Sequence, residues 1–235
     1  VKPQDLGQAI QSLRILHVAG ANITVPYKEA TIPYLDVLSE GANIIGAVNT
    51  IVRDGDRLKG YNTNAIGIMD ALSEAAFEVE GKRALVFGSG GAARAVVFIL
   101  NWLRASKIYV SGRNSDQARS ISTTFSGEVL ELSSLPGRSL PVDIVVNATS
   151  VSSSEESPEM AEVVRHLEVT DCRLVFDLNY GRRVNFWQEM AEGKGIHFMD
   201  GLSALAFQAR RTFALWTGLQ VPPEEFIRAL KETGT

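Results

Sequence analysis

Cysteine and histidine are scarce in this 235-residue sequence, which contains one cysteine and three histidines. Cys172 has no second cysteine with which to form an internal disulfide, so a disulfide-stapled secreted scaffold is excluded. The histidines, at positions 17, 166 and 197, lack the mutual spacing of a metal site. The sequence therefore predicts no bound metal and is typical of a protein of a reducing compartment such as the cytoplasm.

Charge of one sign is never concentrated, and long apolar runs are also missing. The net charge is −4 with no block of like charges, whereas nucleic-acid binders present clustered positive charge. No apolar run reaches the roughly 20 residues that cross a bilayer. We therefore expect neither a nucleic-acid partner nor a membrane, but a small-molecule substrate. Because Val1 does not begin a complete strand unit, we also expect an N-terminal segment to precede it.

The first third of the chain alternates between helical and strand patterns. Apolar spacing predicts helices over residues 4–13, 28–38 and 66–76, and strands over residues 20–25, 47–52 and 57–61. Asp54-Gly55-Asp56 separates the last two strands, and such a turn favours a β-hairpin. A compact α/β unit is expected here.

From residue 83 onward the order becomes strand, glycine turn, helix, strand. Strands are predicted at 83–87, 107–111, 129–131, 143–147, 174–177 and 197–198, with helices at 92–103, 116–124, 158–166 and 185–192. This alternation predicts a doubly wound parallel sheet of the Rossmann type. Two closing helices follow at 203–216 and 223–231. We expect an α/β protein of two domains: residues 1–77 plus 206–235, and residues 78–205.

The glycine turn carries the first functional signal. Gly88, Ser89, Gly90, Gly91 and Ala92 follow a buried strand and open a helix. Backbone amides at such a helix start bind a pyrophosphate, and glycines let it approach closely. The third glycine of the usual fingerprint is replaced by alanine, and a glycine turn by itself can also be a simple tight turn. With a strand before it and a helix after it, we interpret it as a dinucleotide site.

The end of the second strand indicates which dinucleotide is bound. An NAD site usually places Asp or Glu there to bind the ribose hydroxyls, but this chain has Arg113 and Asn114. A guanidinium can pair with a 2′-phosphate through two parallel hydrogen bonds. We therefore favour NADP, although an arginine in a loop is often only a solvated charge.

Polar residues ahead of the glycine turn are candidates for substrate chemistry. Lys28 follows a predicted strand from which Asn22 and Thr24 project, and a lysine can donate or accept the proton when a ketone and an alcohol interconvert. Asn49 and Asn64 flank the hairpin, where amides suit a polyhydroxylated ligand but also serve as turn and cap residues. A lysine at such a position is normally a surface charge. Only the combination of Lys28 with these polar neighbours indicates a substrate site.

Seven segments in order resemble the shikimate dehydrogenase family over nearly the whole chain. They are Asn22-Ile-Thr-Val-Pro-Tyr-Lys28, Gly46-Ala-Val-Asn-Thr50, Gly60-Tyr-Asn-Thr-Asn64, Gly88-Ser-Gly-Gly-Ala-Ala-Arg-Ala95, Val146-Asn-Ala-Thr149, Asp177-Leu-Asn-Tyr180 and Gly201-Leu-Ser-Ala-Leu-Ala-Phe-Gln208. The resemblance implies a two-domain enzyme, monomeric or homodimeric, that reduces 3-dehydroshikimate to shikimate with NADPH in aromatic amino-acid biosynthesis.

The same resemblance implies roles for single residues. Lys28 takes the place of the family's acid/base lysine. The resemblance places the 2′-phosphate at Arg113, the pyrophosphate at 88–92, and the nicotinamide beside Leu178 and Gly201. The positions that correspond to substrate contacts are Thr24, Asn49, Tyr180 and Gln208.

The chain departs from the family pattern at several positions. Asn64 stands where the family has Asp, so the site lacks a carboxylate that binds a substrate hydroxyl and interacts with the lysine. The N-terminal Ser-x-Ser segment is absent, Ala204 replaces a Met, Ser152-Ser153 replaces Gly-Met, and Gly181-Arg182 replaces Asn-Pro. Three alternatives therefore stay open: a paralogue acting on quinate or aminoshikimate, a weakly active enzyme, and a non-catalytic module that binds NADP and a ligand.

Overall fold

The computed structural model describes residues 1–232, and its first part is built on a four-stranded sheet. The sheet order is β1-β3-β4-β2, with β3 and β4 forming the predicted hairpin. We call this the small sheet. Its elements are α1 (Leu6–Ile15), β1 (Gly20–Asn22), β2 (Val37–Leu38), α2 (Glu40–Ile45), β3 (Thr50–Asp54), β4 (Arg57–Tyr61) and α3 (Thr63–Glu74).

The helix predicted over residues 28–38 is wrong. This stretch forms turns, a single 3₁₀ turn at Ile32–Tyr34 and then β2, which pairs with β4 in parallel. Pro33 explains the difference, because proline cannot continue an α-helix. The side chain of Asp36 then accepts a hydrogen bond from the Leu58 backbone at 2.7 Å and so holds β2 against β4.

Helix α2 was missed, although its sequence carries end signals. Ser39 caps the first turn by accepting from the Ala42 backbone, and Gly46 ends the helix at a positive φ of 69°. A serine cap and a terminal glycine are the ordinary signals of a helix start and stop. The helix is only six residues long, so its apolar periodicity was too short to detect.

The second part of the chain forms a six-stranded sheet, which we call the large sheet. Its order is β12-β11-β9-β5-β6-β7, and every neighbouring pair is parallel, so the predicted doubly wound sheet is confirmed. The elements are β5 (Arg83–Phe87), α4 (Gly91–Trp102), β6 (Lys107–Ser111), α5 (Ser115–Phe125), β7 (Glu128–Val129), β9 (Ile144–Asn147), α6 (Pro158–Arg165), β11 (Leu174–Asp177), α7 (Phe186–Gly193) and β12 (His197–Met199). Two further short strands, β8 (Ser139–Pro141) and β10 (Glu168–Thr170), pair with each other.

The large sheet is buried on both faces, as a parallel sheet requires. Along β5, Val86 packs in one apolar cluster with α4, while Phe87 packs in the other with Trp187 of α7. The rings of Phe87 and Trp187 have their centroids 4.8 Å apart. Because both sides of β5 are filled, the glycine turn at its end rests on a rigid base.

Two closing helices, α8 (Leu202–Thr217) and α9 (Pro223–Glu232), return the chain to the small sheet. Helix α8 packs along α3 at close range: a Cβ added at Gly67 would lie 2.4 Å from the Ala204 carbonyl oxygen. The boundaries expected at 77/78 and 205/206 stay predictions. Within residues 1–232, no helix is long and apolar enough to cross a membrane.

Arg94 ties the two sheets together through their helices. It lies in the first turns of α4, and its Nε donates to the Ile45 carbonyl oxygen at the end of α2 at 2.7 Å. A Cβ added at Gly46 would lie 3.2 Å from an Arg94 Nη atom. The helix that begins at the glycine turn is therefore anchored to the segment that leads into Asn49.

We expect Gly67→Ala to destabilise the fold and Gly41→Ala not to. Both glycines are helical, but an added methyl group at Gly67 meets backbone and at Gly41 meets no atom within 4 Å. The first change should lower the free energy of unfolding by about 1–3 kcal/mol, as overpacking does, and the second should raise it by about 0.5–1 kcal/mol. Urea unfolding measures both, and equal effects would contradict the close helix approach.

Candidate active site

The glycine turn lies close to the backbone of the loop that follows β9. Gly88 has a φ of 124°, and a Cβ there would lie 2.8 Å from the Ala148 carbonyl oxygen. The space beside Gly90 is open, with no atom within 4 Å of an added Cβ. Gly91 and Ala92 begin α4, whose free N–H groups and dipole favour an anion.

A cleft of about 490 Å³ extends from this turn between the loops that follow β5, β6 and β9. It contains four of the expected cofactor residues together with Arg113. Among the described residues that line it, none is acidic and Arg113 is the only cation. This donor set fits a phosphorylated dinucleotide. The lining residues are Gly88, Ser89, Gly90, Gly112, Arg113, Asn114, Gln117, Ala148, Thr149, Ser150, Val151, Ser157 and Met160.

Asn114 has a structural task as well as its place in the cleft. Its side chain accepts from the Gln117 backbone at 3.0 Å and caps α5. Arg113 precedes this cap and is exposed. The cap therefore fixes the backbone from which the Arg113 side chain reaches the cleft.

Leu178 and Gly201 are brought together at the carboxyl end of the large sheet. A Cβ added at Gly201 would lie 2.1 Å from the Leu178 carbonyl oxygen. The Gly201 N–H donates to the Asn179 carbonyl oxygen at 2.9 Å, and the Leu178 N–H donates to that of Asn147 at 2.9 Å. Both predicted residues therefore lie at the carboxyl end of the large sheet, where the glycine turn also lies, as sites on open parallel sheets do.

A buried carboxylate accepts hydrogen bonds from several segments at this end of the large sheet. Asp177 Oδ2 accepts from Ser152 Oγ at 2.7 Å and from Asn185 Nδ2 at 2.8 Å. Its Oδ1 accepts from Asn147 Nδ2 at 2.7 Å and from the Asn179 backbone at 3.0 Å. Burial raises the pKa of Asp177, while these hydrogen bonds act in the opposite direction. One side chain thus fixes the ends of β9 and β11, the loop after β9 and the start of α7.

A second carboxylate joins the loop at 152–156 to the loop at 181–182. Glu156 Oε2 accepts from the backbones of Ser152 at 2.7 Å and Ser153 at 3.1 Å, and Glu156 forms an ion pair with Arg182. The hydrogen bond from the Ser152 backbone has the largest effect on the pKa of Glu156 and lowers it. The Ser153 backbone and Arg182 act in the same direction, and burial acts in the opposite one. Sequence reasoning missed the roles of Asp177, Glu156 and Arg182. An aspartate ending a fully apolar strand was the available signal.

Lys28 lies against the glycine turn rather than on the surface. A Cβ added at Gly91 would lie 3.6 Å from Lys28 Cβ and 3.7 Å from its Cδ. The Lys28 carbonyl oxygen accepts from the backbone N–H of Val48 at 2.8 Å, and Val48 directly precedes Asn49 in the chain. Burial lowers the pKa of Lys28, and no charged neighbour contributes to this shift. The amine can therefore exchange a proton more readily than an exposed lysine.

An amide cluster occupies the junction of the hairpin, α3 and α8. Asn49 Nδ2 lies 2.9 Å from Asn64 Oδ1 and 2.8 Å from Gln208 Oε1. Asn49 Oδ1 accepts from the Thr63 backbone at 2.7 Å. Three residues that the sequence proposed separately are thus in direct contact, although 159 positions separate Asn49 from Gln208.

Three threonine hydroxyl groups lie next to this amide cluster and contact one another. The hydroxyls of Thr50, Thr63 and Thr212 form a triangle with sides of 3.0–3.1 Å. Asn22 Nδ2 donates to Thr50 Oγ1 and to the Asn49 carbonyl oxygen, each at 3.2 Å. Thr212 was missed from sequence because a threonine within an apolar helix carries no signal of its own.

The other two predicted substrate residues do not join the cluster. Thr24 is exposed and Tyr180 is 37% exposed, and within residues 1–232 neither side chain has a hydrogen-bond partner. Tyr180 follows the Asp177 network directly in the chain, on the cofactor side.

Family models match most of the chain. One described as "Shikimate dehydrogenase substrate binding domain" matches residues 1–51, and one described as "Shikimate / quinate 5-dehydrogenase" matches residues 71–204. The chain is 37% identical to the shikimate dehydrogenase (NADP(+)) of Moorella thermoacetica over 99% of this chain and 81% of that protein. It is 38% identical to that of Desulforamulus reducens over 94% of this chain and 79% of that protein.

The fold is also that of a solved relative. The crystal structure of shikimate 5-dehydrogenase from Thermus thermophilus in complex with NADP(H) and shikimate aligns with a TM-score of 0.83 at 31% identity. The alignment covers 99% of this chain and 85% of that chain.

We expect Lys28→Met to stabilise the protein most at low and neutral pH. Burial lowers the pKa of Lys28 below its ordinary 10.5, so the protonated amine opposes folding at every pH below the lowered pKa. This penalty disappears as the pH rises towards 10.5, where the amine is neutral in both states. Urea unfolding at several pH values should show a stability gain that shrinks from pH 7 to pH 10.

Lys2→Met is the control, because Lys2 is exposed. It should change the free energy of unfolding by less than about 0.5 kcal/mol at every pH. A gain from Lys28→Met that is independent of pH would show that the amine is not desolvated.

Proposed function

The chain belongs to the shikimate dehydrogenase family, and on this premise we propose that it catalyses the reversible, NADP-dependent reduction of 3-dehydroshikimate to shikimate. It is an oxidoreductase that acts on a small molecule. The observation that carries the proposal is the proximity of Lys28 to Gly91, where an added Cβ would lie 3.6 Å from Lys28 Cβ. It brings the proposed acid/base group to the turn that opens the cofactor cleft.

The chain's own residues suggest how NADPH is held. The turn at 88–92 would bind the pyrophosphate, and Arg113 and Asn114 would bind the 2′-phosphate. Leu178 and Gly201, whose backbone the Asp177 network fixes, would contact the nicotinamide. When bound, NADPH supplies the hydride.

Lys28 manages the proton of the reaction. In the direction of reduction the substrate carbonyl carbon gains a C–H bond, and the π electron pair moves onto its oxygen. Lys28 donates a proton to that oxygen, and in the reverse direction it accepts the proton from the hydroxyl group. The desolvation that lowers the pKa of Lys28 makes loss of its proton easier than for an exposed lysine.

The amide cluster and its neighbours orient the substrate. We assign contact with the substrate to Asn64, Asn49 and Gln208, and further contacts to Asn22, Thr24 and Tyr180. Asn64 orients a substrate oxygen but supplies no charge with which to hold Lys28 protonated. This predicts a slower enzyme than one with a carboxylate at this position.

The finer aspects of the proposal concern substrate choice and setting. Quinate and aminoshikimate are the competing substrates, and steady-state assays with each would show a higher kcat/KM for one of them if shikimate is the wrong choice. We further propose a cytoplasmic enzyme, monomeric or homodimeric. A protein that binds NADPH and shikimate but shows no shikimate-dependent NADP reduction would support the non-catalytic module.

Asn64→Asp should raise turnover at least tenfold, equivalent to about 1.4 kcal/mol of barrier. The new carboxylate can still accept from Asn49, and its charge favours the protonated form of Lys28. Steady-state kinetics of NADP reduction by shikimate measures the change. Asn43→Asp, which adds the same charge at an exposed site on α2, should have no effect. Unchanged turnover in the Asn64 variant would refute the assigned role.

Arg113→Gln should weaken NADPH binding while leaving NADH binding nearly unchanged. The guanidinium is the only cation among the described residues that line the cleft, and a charged hydrogen-bonded pair contributes about 1.5–3 kcal/mol. We therefore expect a 10- to 100-fold rise in the Kd of NADPH, measured by fluorescence titration. Arg165→Gln, on the exposed face of α6, is the matched control. An equal loss for both cofactors would place Arg113 away from the 2′-phosphate.

A further inference from the structure

A single backbone N–H determines how the amide cluster is oriented. The Thr63 N–H donates to Asn49 Oδ1 at 2.7 Å, and a backbone N–H can act only as a donor. Asn49 must therefore turn its oxygen to Thr63 and its NH₂ group to the other side. The usual ambiguity between amide oxygen and nitrogen does not arise for this residue.

The Asn49 NH₂ group in turn orients two further amides. It lies 2.9 Å from Asn64 and 2.8 Å from Gln208, and it can only donate. Both partners must present their oxygens to it, because a flipped amide would place donor against donor. Asn49 is also close to Thr63 Oγ1, at 2.8 Å, but that hydroxyl can direct its own proton to Gln208 Oε1 at 3.3 Å.

The outward sides of these amides are consequently N–H donors. Asn64 Nδ2 and Gln208 Nε2 have no hydrogen-bond partner within residues 1–232, and both residues are only partly buried. In the proposed mechanism the protonated amine of Lys28 supplies a third donor group. We assign these three groups, none of which is a carboxylate, to the ligand.

Ketones and hydroxyl groups differ in what they need from such a site. A ketone oxygen only accepts hydrogen bonds, so donors satisfy it completely. A hydroxyl group also has a proton to donate, and a buried donor without an acceptor is unfavourable. A carboxylate at position 64 would accept that proton, whereas the NH₂ group of Asn64 cannot, and Lys28 accepts it only when its amine is neutral.

We propose that Asn64, oriented by Asn49, makes this site selective for the keto form of its substrate over the hydroxy form. The inference rests on the proposed function, because it concerns the same site. Asn64 is the specificity-determining residue, and Asn49 is a positioning residue that acts through it. The equilibrium of the catalysed reaction is unaffected, so the preference resides in the two binding constants.

Isothermal titration calorimetry without cofactor tests this directly. The Kd values of 3-dehydroshikimate and shikimate are measured for the unchanged protein, for Asn64→Asp and for the control Asn43→Asp. We expect the unchanged protein and the control to bind the keto form more tightly. In Asn64→Asp the ratio of the two Kd values should move at least tenfold towards the hydroxy form.

Asn49→Ala tests the positioning role with the same readout. Without the Asn49 NH₂ group, the amides of Asn64 and Gln208 are free to flip, and the ratio of the two Kd values should move towards one. A merely structural role would weaken both ligands equally and leave the ratio unchanged. If this variant fails to fold, Asn64→Asp alone decides.

The outcomes separate this inference from the proposed function. If the unchanged protein shows shikimate-dependent NADP reduction but the Kd ratio is the same in Asn64→Asp, the inference is overturned and the function stands. If neither ligand binds and no turnover is seen, the proposed function fails and the inference fails with it.

Discussion

The close packing of α8 on α3 is the constraint on which the site depends. Gly67 lets the two helices approach so closely that a Cβ in its place would lie 2.4 Å from the Ala204 carbonyl oxygen. At that distance Gln208 and Thr212 reach side chains that come from the hairpin and from the start of α3. Without this close packing, α8 could not contribute Gln208 and Thr212 to a polar cluster whose partners Asn49 and Thr63 lie more than 140 positions earlier.

Two different kinds of polar centre hold the two halves of the site. On the cofactor side a buried carboxylate, Asp177, collects donors from the ends of the parallel strands and from two loops. On the substrate side neutral amides and hydroxyls satisfy one another, with Asn49 at the centre. The Asp177 carboxylate accepts from several protein donors, whereas the NH₂ groups of Asn64 and Gln208 have no hydrogen-bond partner within residues 1–232. The first therefore fixes backbone, and the second is the one to which we assign the substrate.

Local signals account for most of what the sequence predicted correctly. The strands at Arg83–Phe87 and Lys107–Ser111 have uninterrupted apolar patterns and clear turn residues, so their bounds agreed with the structure. The stretch at 28–38 failed because its apolar spacing resembled a helix while Pro33 prevented one. The amides were proposed individually from motifs, but no pattern in the sequence states that Asn49 touches Gln208. That contact and its polarity depend on tertiary packing.

Helix α8 also sets a distance. Its N-terminal glycine, Gly201, is pressed against Leu178 beside the cofactor cleft, and Trp216 near its other end donates to the Ile51 carbonyl oxygen at 2.9 Å. Between Gly201 and Gln208 lie seven helical steps of about 1.5 Å each, or nearly two turns. One inserted or deleted residue in this interval would rotate Gln208 by about 100° away from Asn49. Even an added whole turn would restore the direction of Gln208 but move it about 5.4 Å along the helix axis, so the length of this interval is fixed by both ends of α8.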